Sequence, residues 1–166
     1  MASETLEEKV ERLGKMVQRL EGMEKRLRIA EDVEQIKQLH NRYQDAHVFG
    51  DHVGEVACFA ENGVLEIGDE QKLTKADIPK FLGAAPPNDR PVLKEAGIAV
   101  HPQIKVYGDK ATGHWVNYNF FSYADTKQIL FWMQAFEDAE YVRENGEWKF
   151  SYLKWDLKYG LPPRMS

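Results

Sequence analysis

From Ile98 to Tyr159 the chain runs through four long strand-like stretches separated only by short turns. No other feature limits the possible folds as much. Ile98–Tyr107, Lys110–Tyr123, Gln128–Arg143 and Trp148–Tyr159 read as strands. Gly108-Asp109, Ala124-Asp125-Thr126 and Glu144-Asn145-Gly146 read as the hairpin turns between them. Helical patterns come before the strands. The expected class is therefore α+β, with a strongly curved antiparallel sheet packed on helices.

The first helical pattern is a charged arm over residues 1–30. Leu6, Val10, Leu13, Val17, Leu20 and Leu27 fall four and three apart, as in a heptad seam, with Glu24 interrupting it. Gly14 and Gly22 weaken the arm, each by on the order of 1 kcal/mol. Such a seam is expected to serve a homo-oligomer, dimer or trimer, or else to lie on its own sheet. A helix continues or restarts at Glu31-Asp32, with Val33, Ile36, Leu39, Tyr43 and Ala46 or Val48 on one stripe and Gly50 as its stop. Asp51–Ala60 suits a short helix, Glu61-Asn62-Gly63 a turn, and Val64–Ile67 a strand with Gln71-Lys72-Leu73 pairing back. Thr74 is the expected N-cap of a helix through Phe81-Leu82, with Pro79 tolerated in its first turn. Gly83–Lys94, with Pro86, Pro87 and Pro91, is a loop that serves either as an entrance flap or as ordinary surface. One main domain is expected over residues 31–160, followed by a tail at 161–166.

A net charge of -5 argues against nucleic acid as a partner. No apolar run is as long as a membrane span, and the acidic start Met1-Ala2-Ser3-Glu4 is unlike a signal peptide, so a cytoplasmic protein without membrane contact is expected. The single Cys58 sits in the apolar stretch Val56–Phe59 and reads as a buried thiol. Five histidines are present, but none pairs at the spacing of a familiar metal motif; His47 and Asp51, four apart, are the nearest hint. Phosphate loops, serine elbows and Cys–His pairs are likewise not seen. Neither a metal nor a cofactor is expected.

The candidate chemistry lies in phenol, imidazole and amide groups. His101 can exchange a proton near neutral pH and is the first candidate for general acid or base. Tyr43 can donate to a carbonyl or enolate oxygen. His47, four residues on, shares nearly the same helix face and can orient Tyr43 or join it. Asp45 points elsewhere round the helix, yet could back up a histidine. On the second long strand Gly113, Trp115, Asn117, Asn119 and Phe121 share one face, while His114, Val116, Tyr118 and Phe120 share the other. A register slip at a bulge would exchange the two sets. On the third strand Phe131, Met133, Ala135 and Glu137 face one side, and Leu130, Trp132, Gln134 and Phe136 the other. Neither side is plainly polar, so both faces are expected to be covered. Aromatic residues make up 11% of the chain and crowd these strands, which suits a pocket for a ring-bearing ligand.

Helix Ile36–Asp45, the motif Phe59-Ala60-Glu61-Asn62-Gly63-Val64-Leu65-Glu66-Ile67, the Thr74–Phe81 helix and the four-strand meander resemble the SnoaL-like, nuclear-transport-factor-two-like cone fold. Within it, Tyr43, His101 in Val100-His101-Pro102-Gln103-Ile104, and Thr112-Gly113-His114-Trp115 are most similar to the scytalone dehydratase and bile-acid dehydratase branch. The resemblance implies catalytic roles for His101, Tyr43 and Asn119, and the helix position of His47 adds it to them. It implies that Asn119 lies inside the cone and His114 outside. Asn117 and Asp45 would then help bind substrate, walled by Trp115, Phe121 and Trp132. The chain departs from the dehydratase pattern where Val48 stands for an Asp, Asn119 for a carboxylate and Leu157 for an Arg. The implied activity is a cofactor-free lyase acting by acid–base chemistry on a hydroxylated ring-bearing molecule, with dehydration as the default. Cleavage of a carbon–carbon bond with release of formaldehyde from a lignin-derived aryl diol, a ketosteroid-isomerase-like shift, and a non-catalytic binding or assembly module remain alternatives.

Overall fold

The computed structural model describes residues 5–69, 71–82, 92–123, 125–126 and 128–159. A single helix, α1 (Leu6–Phe49), joins the arm to the following stripe, so of the two expected alternatives the helix continues at Glu31-Asp32 and does not restart. Thr5 and Glu8 form a capping box at its start, and Gly50 ends it in the left-handed region at φ 67°. Gly14 and Gly22 are absorbed without a break, because their surroundings are open. Burial begins abruptly at Asp32; every described residue before it is exposed. Asp32 accepts hydrogen bonds from the Arg143 guanidinium and, at 3.2 Å, from the Trp148 indole. Arg143 in turn lies 4.5 Å above the Trp148 ring. This group fixes the point where α1 meets the domain.

The remaining elements are α2 (His52–Ala57), β1 (Phe59–Ile67), β2 (Gln71–Thr74), α3 (Ile78–Leu82), β3 (Val92–Tyr107), β4 (Lys110–Tyr123), β5 (Ile129–Glu144) and β6 (Glu147–Tyr159). They form one six-stranded sheet in the order β2-β1-β6-β5-β4-β3. The expected meander is present as β3 to β6. Unlike the other pairs, β1 runs parallel to β6. Three particulars differ from the sequence reading. Glu61-Asn62-Gly63 is not a turn between elements but part of β1, which bulges between Phe59 and Val64 as it pairs with β6. A Cβ on Gly63 would lie 2.9 Å from the Phe150 carbonyl oxygen, so the bulge requires glycine. Thr74 is not a helix cap: its hydroxyl donates to Asp77 at 2.6 Å, and α3 starts only after Asp77. β3 begins at Val92, before the expected Ile98, because the far end of β4 gives Val92–Lys94 partners at Phe121–Tyr123. The proline-rich loop at 83–91 and the tail from 160 lie outside the described residues.

Ile36, Leu39 and Tyr43 of α1 pack with Phe59, Phe150 and Leu153 of the sheet. Cys58 is a buried thiol in this core, as expected; burial pushes its pKa up to about 11. Among the described residues no helix is long and apolar enough to cross a membrane.

On the β2–β1–β6 side, Glu66 accepts from Tyr152 at 2.8 Å and pairs with Lys72 and Lys154 at 2.9 and 3.0 Å. These donors hold its pKa down to about 2. A carboxylate whose pKa is lower folded than unfolded stabilises the fold above the unfolded value, near 4.3, and loses that effect as pH falls through about 2. Glu66→Gln is therefore expected to lower the melting temperature at pH 6. The gap should narrow as pH falls from about 4 toward 2, as followed by circular dichroism.

Candidate functional site

Glu137 of β5 has its side chain wholly inside the protein, at 1% exposure, facing α1. Its Oε2 lies 2.6 Å from Nε2 of the fully buried His40. Its Oε1 accepts from the Gln44 amide at 3.3 Å and, over a short contact, from the Asn117 amide. His40 is sandwiched by aromatic neighbours: Trp115 stacks on it at 4.0 Å and Phe150 meets it edge-on at 5.6 Å. The Trp115 indole donates to the Tyr141 hydroxyl at 2.9 Å, and that hydroxyl lies 3.5 Å from His40 Nδ1. The helix period produces half of this set. His40, Gln44 and His47 sit at i, i+4 and i+7, one stripe turned toward the sheet. Strand alternation produces the other half, since Asn117 on β4 and Glu137 on β5 both point inward.

A second imidazole–carboxylate group lies one turn further along α1. Glu55 of α2, fully buried, forms a short contact with His47 Nδ1 and lies 2.9 Å from His52 Nδ1. Tyr43 stands between the two groups. Its ring stacks with His47 at a centroid distance of 6.2 Å and meets His40 edge-on at 6.3 Å. The Tyr43 hydroxyl is buried and has no well-formed hydrogen bond among the described residues. The Trp155 indole is near enough to act on it electrostatically, yet it too lacks a bond of normal geometry. Burial, followed by the charges of Glu137 and Glu55, raises the Tyr43 pKa well above that of a free phenol. Tyr43 therefore stays protonated and can act as a donor, not as a base.

These groups border a narrow internal cavity lined by Gln44, His47, Asn117, Asn119, Glu137 and Trp155, with Met133, Ala135 and Leu157 as its apolar wall. Its free volume, about 10 Å³, is near that needed for one water. The Asn117 and Asn119 carbonyl oxygens and Gln44 Oε1 are buried there without a partner among the described residues. Leu157, where the dehydratase pattern has Arg, is part of the wall.

The structure brings His47, Asn117 and Asn119 together on the cavity wall, with Tyr43 stacked on His47. Trp115 lies deeper, as the plate behind His40. Phe121 is half-buried near the end of β4, pairing with Phe131. Trp132 is 47% exposed and pairs with Phe120, on the sheet face away from Asn119. Asp45 is exposed and borders an outer groove with Arg42 and Phe49. His101 is exposed too. His101 and Pro102 together oppose Trp115 in a bulge of β3, and His101 takes the left-handed conformation at φ 53°. The extra residue locally disrupts the β3–β4 ladder. His114 faces outward and pairs with Asp138 at 2.7 Å. Sequence reasoning missed His40, Gln44, Glu55, Glu137 and Trp155 as members of the site. The i, i+4, i+7 spacing of His40, Gln44 and His47 was the available signal, whereas Glu55 had none. Among the described residues no three His, Cys, Asp or Glu side chains converge as metal ligands would.

A curved sheet with a long helix on its inner face, enclosing one polar and aromatic cavity, is the nuclear-transport-factor-two-like cone. A family model described as a SnoaL-like domain matches residues 28–154, and the chain belongs to that family. Among solved structures, an NTF2-like protein with a cystatin-like fold from Novosphingobium aromaticivorans is 18% identical, covering 83% of this chain and 89% of its own, at TM-score 0.66. A candidate scytalone dehydratase from the same organism is 13% identical, covering 82% and 91%, at TM-score 0.68. The hexachlorocyclohexane dehydrochlorinase LinA type 2 is 16% identical, covering 82% and 90%, at TM-score 0.66. At these identities the likeness is one of fold. No curated protein matches the chain.

The two kinds of buried polar group should respond oppositely to substitution. Glu137→Ala strands His40, Gln44 and Asn117 and is expected to cost about 3–5 kcal/mol of stability. Tyr43→Phe removes a hydroxyl that the fold does not satisfy and should leave stability unchanged or raise it by up to ~1 kcal/mol. Urea unfolding of both variants measures the contrast.

Proposed function

We propose that this protein is a cofactor-free lyase that eliminates water from a hydroxylated, ring-bearing small molecule. The observation that carries this reading is the Tyr43 hydroxyl and Asn119 carbonyl, both buried near the His47–Glu55 pair without a well-formed hydrogen bond among the described residues. An unmet buried polar group costs a fold about 1–3 kcal/mol, and a ligand that supplies the missing bond recovers it.

The chemistry follows from the positions. Glu55 holds His47 Nδ1, so proton exchange with a ligand falls to Nε2, and the carboxylate stabilises the imidazolium that results. His47 takes a proton from the carbon beside the hydroxyl-bearing carbon. The C–H electron pair becomes the new double bond, and the C–O bond breaks. Tyr43 donates a hydrogen bond to the departing oxygen, and His47 returns its proton to complete water. Asn117 and Asn119 orient the substrate through their amides. The network of His40 and Glu137 fixes Gln44 and Asn117 and so shapes the wall. His101, exposed in its bulge, has no part in this scheme. Two structural relatives bear names that denote elimination, a dehydratase and a dehydrochlorinase, which supports the same reaction type. A ring-bearing substrate needs more room than the closed cavity offers, so Met133 and Trp155 must shift as it binds.

The narrow cavity favours a second reading, a binding module without turnover. Liquid chromatography–mass spectrometry on a panel of hydroxylated aryl-propanoids, phenolic polyketides and hydroxysteroids separates the two. The expected product is lighter by one water, and it should fall at least 100-fold with His47→Gln and with Tyr43→Phe while both variants stay folded. A product lighter by formaldehyde would replace dehydration with carbon–carbon cleavage. An isomer of equal mass would replace it with a double-bond shift. Ligand binding without any product would establish the binding module.

A further inference from the structure

Every described residue of α1 before Asp32 is exposed, yet the arm carries a regular apolar seam. Leu6, Leu13, Leu20 and Leu27 recur every seven residues, and Val10 and Val17 sit between them. These six side chains are 53–78% exposed, and Met16 and Met23 beside them are 52% and 53% exposed. A lone helix with this surface and two internal glycines is marginal in water. Both glycines fall off the seam, where they leave its packing intact.

We propose that residues 6–31 pair with the same segment of a second copy of this chain as a parallel, in-register, two-stranded coiled coil. Three observations select this occupant. Valine at position a with leucine at position d is the pattern that, among parallel coiled coils, favours two strands. The area suffices: at roughly 100 Å² each, the eight apolar side chains of two arms offer on the order of 1,600 Å², the size of a standard specific interface. Alignment decides direction. In the parallel register every Leu and Val meets its own kind, and only Glu24 meets a carboxylate. Its Arg28 partner on the same helix, at 3.5 Å, stands beside that layer. In antiparallel registers centred on the arm, Glu24 falls opposite a leucine of the copy, at Leu13 or Leu6, twice per dimer. Parallel pairing also sets no like charges across the flanks, where Lys9 faces Gly14, Met16 faces Glu21 and Met23 faces Arg28.

Sedimentation equilibrium of the full chain tests the seam. The double variant Leu13→Glu/Leu20→Glu should have half the wild-type mass, with the cone's near-ultraviolet spectrum unchanged. Glu24→Val removes the one charged layer and should tighten association at least tenfold. Direction is read from Leu6→Cys, which should form an intermolecular disulfide rapidly under air, because parallel pairing sets the two positions side by side. Antiparallel pairing separates them by about 25–40 Å. Equal masses for wild type and double variant, a wild-type monomer or trimer, looser association of Glu24→Val, or failure of Leu6→Cys to cross-link would each overturn the proposal.

Discussion

The Glu137 carboxylate is the interaction on which the rest of the domain depends. It is placed by β5, met by His40 and Gln44 from α1, and held by Asn117 from β4. One buried carboxylate thus ties the long helix to the middle of the sheet. An unpaired charge there would cost several kcal/mol, so helix rotation and strand register must both be correct for the fold to close. The same constraint delivers the site. With His40 and Gln44 fixed on Glu137, the helix period brings His47 to the cavity with Tyr43 stacked on it. With Asn117 fixed, strand alternation brings Asn119 there.

Around this tie the cavity is asymmetric. Both Glu137 oxygens and His40 Nε2 have their hydrogen-bond partners. The Gln44, Asn117 and Asn119 carbonyl oxygens on the cavity wall have no partner among the described residues, and the nearby Tyr43 hydroxyl has no well-formed bond. The protonated phenol is a consequence of the same burial and of the two nearby carboxylates. The site is thus a satisfied imidazole–carboxylate pair beside a phenol and three amide oxygens that lack a well-formed bond among the described residues.

The strand run and its turns were legible because alternation over ten or more residues leaves few other structures. The inward face of β4 was legible for the same reason, and Asn117 and Asn119 lie on it. Tyr43 and His47 followed from the stripe on α1. The carboxylates were harder. The dehydratase pattern places an acid where Val48 and Asn119 stand, whereas the protein carries its acids at Glu55 and Glu137, on different elements. Only the fold brings them within reach of the histidines. His101 shows the opposite limit. It was the first candidate for acid or base, yet it sits exposed in a bulge of β3 away from the cavity, and nothing local in the sequence announces the bulge. The parallel pairing of β1 with β6 is a long-range contact that periodicity does not contain.

The unbroken course of α1 has a mechanical consequence. From Leu6 to Phe49 the helix has no hinge, so the seam at one end and the cavity at the other are parts of one shaft. Their angular phase is set by the number of residues between them. One residue added between Ile29 and Asp32 would turn the seam by about 100° against the cone, leaving the chemistry of each untouched. The arm's length is therefore a geometric setting of how any assembled cones face each other, written in residue count alone.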